Sequence, residues 1–200
     1  ILAYASGLGL SHYQFLKYFS KSAEKKNHLK EIFILSSGVV DEQISELNIL
    51  IESVYLTRDL VNEPVSFLNS LKFSEEIEQI GKQAGFDVET LNKKQIESLK
   101  MNGLLAVNKG SIDPPVFSIL SWNPRNAINK KPYVLVGKGI VYDTGGLSLK
   151  PSNYMDNMKS DMAGGAVVAG ILYAAARSQL PVHLIGLVPA TDNRPDGNAY

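Results

Sequence analysis

The alternation of apolar and polar positions divides this 200-residue chain into short blocks that read in turn as helix and strand. From Asp41 onward, Ile44, Leu47, Leu50 or Ile51, Val54 and Val61 recur at helical spacing. This predicts a helix that Asp41 caps and that Asn62 and Pro64 stop. A second helix, with Phe73, Ile77, Ile80 and Ala84 on one face, runs to Gly85 and gives way to a strand over Phe86 to Leu91. Asn92 to Lys100 reads as a shorter helix. Leu104 to Val107 and Val116 to Trp122 read as strands, with Pro114, Pro115 and Pro124 as breakers. The final third predicts a strand over Tyr133 to Val136, a long glycine-rich loop, a helix from about Met162 to Arg177, and a strand from Val182 to Val188. Nearer the start, Glu31 to Ser36 reads as a short buried strand, and the apolar Ile1 to Leu10 as core.

Strand and helix in alternation predict an α/β fold with a largely parallel or mixed sheet flanked by helices. A strand, helix and strand in that order favour a right-handed crossover, with ligand chemistry outside the carboxyl ends of the strands. No internal repeat or low-complexity tract interrupts the pattern. The chain starts without Met and stops at Tyr200 in what reads as a loop, so both ends read as cuts.

Charge narrows the class of partner. Lys plus Arg equals Asp plus Glu at 20 each, so no net field favours nucleic acid or an anionic membrane, and a peptide or small molecule is expected instead. The apolar opening has no basic leader and is far short of the roughly 20 residues that span a bilayer. Absence of cysteine excludes a disulfide framework and thiolate metal ligands, and the expected compartment is the cytoplasm.

The candidate chemistry lies in GKGIVYDTGGLSLKPSNYMDNMKSDMAGG, which carries Lys138, Asp143, Lys150, Asp156, Lys159 and Asp161. Seven of the 16 glycines fall within Gly137 to Gly170, where even spreading would give about three. Such density points to backbone passing close to a ligand, or to turns that a side chain would forbid. One turn of loop between Lys138 and Asp143 could bring those two side chains together, and Asp161 stands at the start of the alanine-rich helix. His12, His28 and His183 are widely separated, so a metal here would be held by carboxylate oxygens and an amine. A lysine binds metal only when neutral, which at pH 7 costs about 4.6 kcal/mol and needs a dication and burial to offset it.

This stretch resembles the signature of the leucyl (cytosol) aminopeptidase family, in which a strand leads into GKG, then DTGG, SLKP, and MKxDM followed by glycines. Order and spacing match without a gap, and Tyr55 to Pro64 and Val188 to Tyr200 are similar to flanking segments of the family. The resemblance implies that Lys138, Asp143 and Asp161 are ligands of a two-metal centre holding Zn²⁺ or Mn²⁺, with Asp143 bridging. It implies that Lys150 is the catalytic lysine and that Met158 lines the pocket for the first side chain of a peptide substrate. Residues 1–40 would be the remnant of a smaller α/β N-terminal domain, 41–62 a linker helix, and 63–200 the first part of the catalytic domain. A homo-hexamer of the full-length protein is implied as well.

The family completes its centre with an Asp and a Glu from an NTDAEGR-type motif, which these 200 residues do not contain. The isolated chain is therefore expected to hold metal weakly and to turn over little or no substrate. Tyr142, where the family more often has Phe, would alter only packing.

Plainer readings exist for each residue. Asp161 could be a helix cap, Lys138 with Asp143 a loop salt bridge, Lys150 a turn residue and Met158 a core methionine. Asp156 and Lys159 match no ligand position and read as solvated charges, and His183 reads as a core histidine. Gly137 and Gly139 lack the third glycine of a dinucleotide fingerprint, and GKG lacks the rest of a P-loop. The rival from another class is a non-catalytic relative that keeps the fold as a scaffold or for oligomer assembly.

Overall fold

A computed structural model describes residues 1–198, so the last two residues of the Val188 to Tyr200 segment lie outside the described residues. The chain folds around a five-stranded mixed sheet with strand β5 (Leu184–Asn193) as its spine. Strand β2 (Val116–Trp122) pairs antiparallel with β5 from Trp122↔Leu184 to Val116↔Ala190, and β1 (Asp87–Leu91) pairs antiparallel with β2. Along its other edge, β5 takes two short parallel strands end to end. Strand β3 (Tyr133–Val136) pairs with Leu184 to Leu187, and β4 (Gly139–Asp143) with Ala190 to Asn193. The sheet is therefore mixed, with equal numbers of parallel and antiparallel pairings among the described strands.

The helices are, in chain order, α1 (Leu2–Ser11), α2 (Ser22–Lys25), α3 (Asp41–Asn62), α4 (Ser70–Ala84), α5 (Lys93–Ser98), α6 (Asn102–Val107), α7 (Ser152–Met155) and α8 (Ala163–Arg177). The core forms where α4 and α8 cover β2 and β5. Along β2 burial alternates strictly, with Val116, Ser118, Leu120 and Trp122 inward, as a half-covered strand requires. Helix α4 is started by Asn69, whose side chain accepts from the Lys72 N–H at 2.9 Å, and stopped by Gly85 at φ 88. Its predicted stripe of Phe73, Ile77, Ile80 and Ala84 is wholly buried. Helix α8 buries mainly small residues, so its neighbours come close: a β-carbon at Gly170 would lie 3.2 Å from the Ser53 carbonyl of α3.

Several expectations are corrected. Asp41 is the first residue of α3 and not its cap; the preceding Val40 N–H donates instead to the Gln43 side chain at 3.2 Å. Leu104 to Val107 belongs to α6, because the Met101 carbonyl accepts from the Leu105 N–H at 3.2 Å and starts a turn of good helix formers. Ile1 to Leu10 is helical from Leu2 but buries only Ala5, since α3 is its main packing partner. Glu31 to Ser36 forms no strand among the described residues; it joins no ladder of the sheet, and Phe33 and Leu35 are exposed. The loop expected after Val136 contains β4. No helix among the described residues is long and apolar enough to cross a membrane.

Candidate metal centre

The centre is built at the break between β3 and β4. Gly137 keeps the ladder going through its N–H to the Leu187 carbonyl at 2.9 Å, and Lys138 leaves it. The Lys138 carbonyl then accepts from the Gly165 N–H of α8 at 2.8 Å, which locks the Lys138 backbone to the first turn of that helix. From there the Lys138 Nζ reaches Asp161 Oδ2 at 2.6 Å. Asp161 precedes α8 by two residues and closes a 3-10 turn over Met158–Ser160. Helix α8 has no side-chain cap, so the capping role open to Asp161 is not the one it takes. Its Oδ2 is buried and makes no hydrogen bond of good geometry, leaving the close Lys138 cation as its contact.

Asp143 ends β4 and is held from three directions. Its Oδ1 accepts from the Asn193 Nδ2 at 2.7 Å and from the Gly145 N–H at 2.9 Å, and its Oδ2 receives Lys150 Nζ at 2.7 Å. Between Asp143 and Lys150 the chain doubles back through Gly145 at φ 88 and Gly146 at φ 69, a conformation that side chains resist. The Lys150 N–H closes the loop on the Thr144 carbonyl at 2.8 Å. Lys150 Nζ also lies 2.9 Å from Met158 Sδ, so the Asp143 pair abuts the turn that carries Asp161. Lys138 thus pairs with Asp161 and not with Asp143, because the span between Lys138 and Asp143 is a strand and cannot curl back as a loop would.

Burial alone would raise the Asp143 carboxyl, but Lys150, the Gly145 N–H and Asn193 together hold it down at about 2. Because the folded value lies below the ordinary one, this stabilisation is present above about pH 4 and is lost as pH falls through about 2. It amounts to about 2 kcal/mol. Denaturant unfolding at pH 5 and pH 2 should therefore show a smaller acid loss for Asp143→Asn than for the native chain, by that amount. Equal losses would show that Asp143 is not held as described.

The donor set for a cation is two carboxylates and an amine, and no group of three or more His, Cys, Asp or Glu side chains capable of holding a metal occurs among the described residues. An unbonded buried oxygen on Asp161, beside an amine that needs a dication to become a ligand, fits a divalent ion. Asp156 is exposed, as a solvated charge should be. Lys159 is not solvated: it is half-buried and its Nζ donates to the Asn62 carbonyl at 2.6 Å. His183 sits just ahead of β5, half-buried, with its backbone bonded to the Asn129 side chain.

Asn193 is the partner of Asp143 that sequence reasoning missed; it lies 50 residues from Asp143, and only the pairing of β4 with β5 brings the two together. Its neighbour Asp192 is buried at 1% exposure with Arg194 Nε at 2.5 Å. A groove of about 600 Å³ lies away from the centre, where Lys17, Tyr55, Asp59, Glu63 and Phe67 face one another between the N-terminal segment, α3 and α4.

Residues 55–200 match the family model described as the cytosol aminopeptidase family, catalytic domain. A probable cytosol aminopeptidase of Chloroherpeton thalassium is 44% identical over 184 residues, covering 90% of this chain and 36% of that protein. A second, from Phytoplasma australiense, is 38% identical over 200 residues, covering 100% of this chain and 40% of that protein. Among solved structures, the bottromycin maturation enzyme BotP in complex with Mn superposes with a TM-score of 0.86 at 34% identity, over 99% of this chain and 41% of that one. The cytosol aminopeptidase from Coxiella burnetii gives a TM-score of 0.77 at 27% identity, over 94% of this chain and 38% of that one. The chain thus spans about two fifths of the length of the proteins it matches. With its fold and its motif both in agreement, the chain belongs to the cytosol aminopeptidase family.

Proposed function

We propose that the chain contributes the first part of a metal-dependent aminopeptidase that releases N-terminal amino acids from peptides, with residues 1–40 the end of a preceding domain, 41–62 a linker and 63–200 catalytic. The observation that supports it is the pairing of two lysines with two aspartates, Lys138 with Asp161 and Lys150 with Asp143, on one glycine-rich stretch. Lys138, Asp143 and Asp161 would hold two divalent ions, Zn²⁺ or Mn²⁺. Such ions, when bound, supply Lewis acidity and a water nucleophile at neutral pH.

The remaining roles fall to this chain's own side chains. Lys150 is fixed at both ends, by its N–H on Thr144 and its Nζ on Asp143, so its positive charge is aimed before substrate arrives. We assign it to the scissile carbonyl oxygen, where negative charge grows during attack. Met158, beside Lys150, would line the pocket for the substrate's first side chain. Cytoplasmic location and a hexameric full-length protein complete the reading.

Three ligands grip a dication less firmly than a closed set, so this 200-residue chain should bind Mn²⁺ weakly and cleave an aminoacyl anilide little or not at all. Water-proton relaxation during a Mn²⁺ titration measures the first, and a chain extended through an NTDAEGR motif is the comparison for the second. Asp143→Asn should weaken Mn²⁺ binding by about 10- to 100-fold. Binding no different from that of the variant would refute the metal assignment and favour the scaffold reading. Equal turnover by the short and extended chains would refute the incompleteness of the centre.

A further inference from the structure

We propose that Lys159 is a positioning residue, whose cation ties the Met158–Asp161 turn to the carboxyl end of α3. This rests on the reading of Asp161 as a metal ligand. Lys159 Nζ donates to the Asn62 carbonyl at 2.6 Å across 97 residues of sequence. Asn62 is the last residue of α3, so its carbonyl is one that the helix itself leaves without a partner. Partial negative charge gathers at that end of a helix, and a half-buried cation there is favoured.

Lys138 and Lys150 tie the turn to its own motif through Asp161 and Met158, and Lys159 ties it to α3. The turn's own bonds are local: the Ser160 N–H on the Asn157 carbonyl at 3.0 Å, the Asp161 N–H on the Met158 carbonyl at 3.2 Å, and the Ser160 hydroxyl on the Asn157 carbonyl. Single turns of this kind are weak. Lys159 lies between the two residues that matter, one after Met158 and two before Asp161, and its bond attaches the turn to an element outside the motif.

The attachment point is itself braced from its far side. Asn62 Nδ2 donates to the Tyr13 hydroxyl at 3.0 Å, which in turn donates to Asp59 at 2.8 Å. The buried Glu63 accepts from Lys17 at 2.6 Å and from the Tyr18 hydroxyl. Residues 13–18 precede the stretch matched by the family model, yet through α3 and Lys159 they bear on the placement of Asp161.

The test compares the native chain with Lys159→Met, which keeps an apolar stem, and Lys159→Arg, which keeps the donor, using Asp161→Asn as the reference for metal binding. Two quantities are read: amide hydrogen exchange at Ser160 and Asp161 without metal, and Mn²⁺ affinity by water-proton relaxation. Lys159→Met should speed exchange at those two amides about tenfold while α8 is unchanged, and should lower Mn²⁺ affinity about tenfold. Lys159→Arg should restore both. Native exchange and affinity in Lys159→Met would overturn the proposal, as would exchange that rises equally throughout α8 and the sheet. If the turn loosens but the native chain binds Mn²⁺ no better than Asp161→Asn, the anchor stands and the metal reading of Asp161 fails.

Discussion

Replacing Phe73 with alanine is expected to cost about 4 kcal/mol of stability, seen as a fall of roughly 10 °C in thermal unfolding followed by circular dichroism. Phe73 is fully buried on α4, and its ring lies against α8: a β-carbon at Gly165 would sit 3.1 Å from two of its ring atoms. Removing the ring leaves a void that α4, α8 and β5 cannot all close, because each is fixed by its other contacts. Leu71, on the same helix but 41% exposed, is the control; Leu71→Ala should change stability by no more than about 0.5 kcal/mol. Similar losses for the two variants would mean that α4 does not pack as described.

Gly137→Ala should be nearly as severe, at about 3 kcal/mol. The added carbon would lie 2.5 Å from the Gly164 carbonyl oxygen and 2.6 Å from the Gly165 Cα. Both obstacles are backbone, so no side-chain rotation relieves the clash, and α8 must lift from the junction of β3 and β4. That movement would also break the bond from the Gly165 N–H to the Lys138 carbonyl and separate Lys138 from Asp161. Mn²⁺ binding should then fall to the level of Asp161→Asn. Gly7 is the contrast: in a helix with nothing within 4 Å of a new β-carbon, Gly7→Ala should stabilise by about 0.5–1 kcal/mol. A Gly137→Ala protein as stable as the native chain would remove the close contact on which this account of the centre rests.

How much was legible in the sequence depended on whether the signal was local. Helix α4 was readable because its buried stripe repeats at 3.6 residues and Gly85 ends it; both signals lie within the segment itself. Strand β2 was readable because Pro114, Pro115 and Pro124 bracket a run of the right length. The four residues Leu104 to Val107 are too few to show a period, so an apolar run that is helical reads as a strand. Strand β4 was hidden because glycine at 137 and 139 signals a loop, whereas here each glycine admits backbone: Gly164 against Gly137, and the Pro189 carbonyl against Gly139. Glu31 to Ser36 and Ile1 to Leu10 show the opposite error, since apolar content alone cannot reveal whether anything will cover it.

The same distinction runs through the centre. Lys138, Asp143, Lys150, Met158 and Asp161 could be singled out from motif spacing, but their partners could not. The sequence suggested Lys138 with Asp143, its nearest acidic neighbour in the motif, and the fold chose Asp161, 23 residues away. Asn193 escapes notice and Lys159 reads as a solvated charge because each bonds across a distance that only tertiary structure closes.

Strand β5 is made after every other strand it joins, and this has a consequence for synthesis on the ribosome. Strands β2, β3 and β4 all take β5 as a neighbour, and among the described residues β3 and β4 have no other. Until residues 184–193 leave the exit tunnel, the nascent chain carries unpaired apolar segments for several seconds, at a translation rate of about 5–20 residues per second. A chaperone that shields extended apolar segments would meet this protein in that interval, and its release would coincide with the moment Asn193 first reaches Asp143.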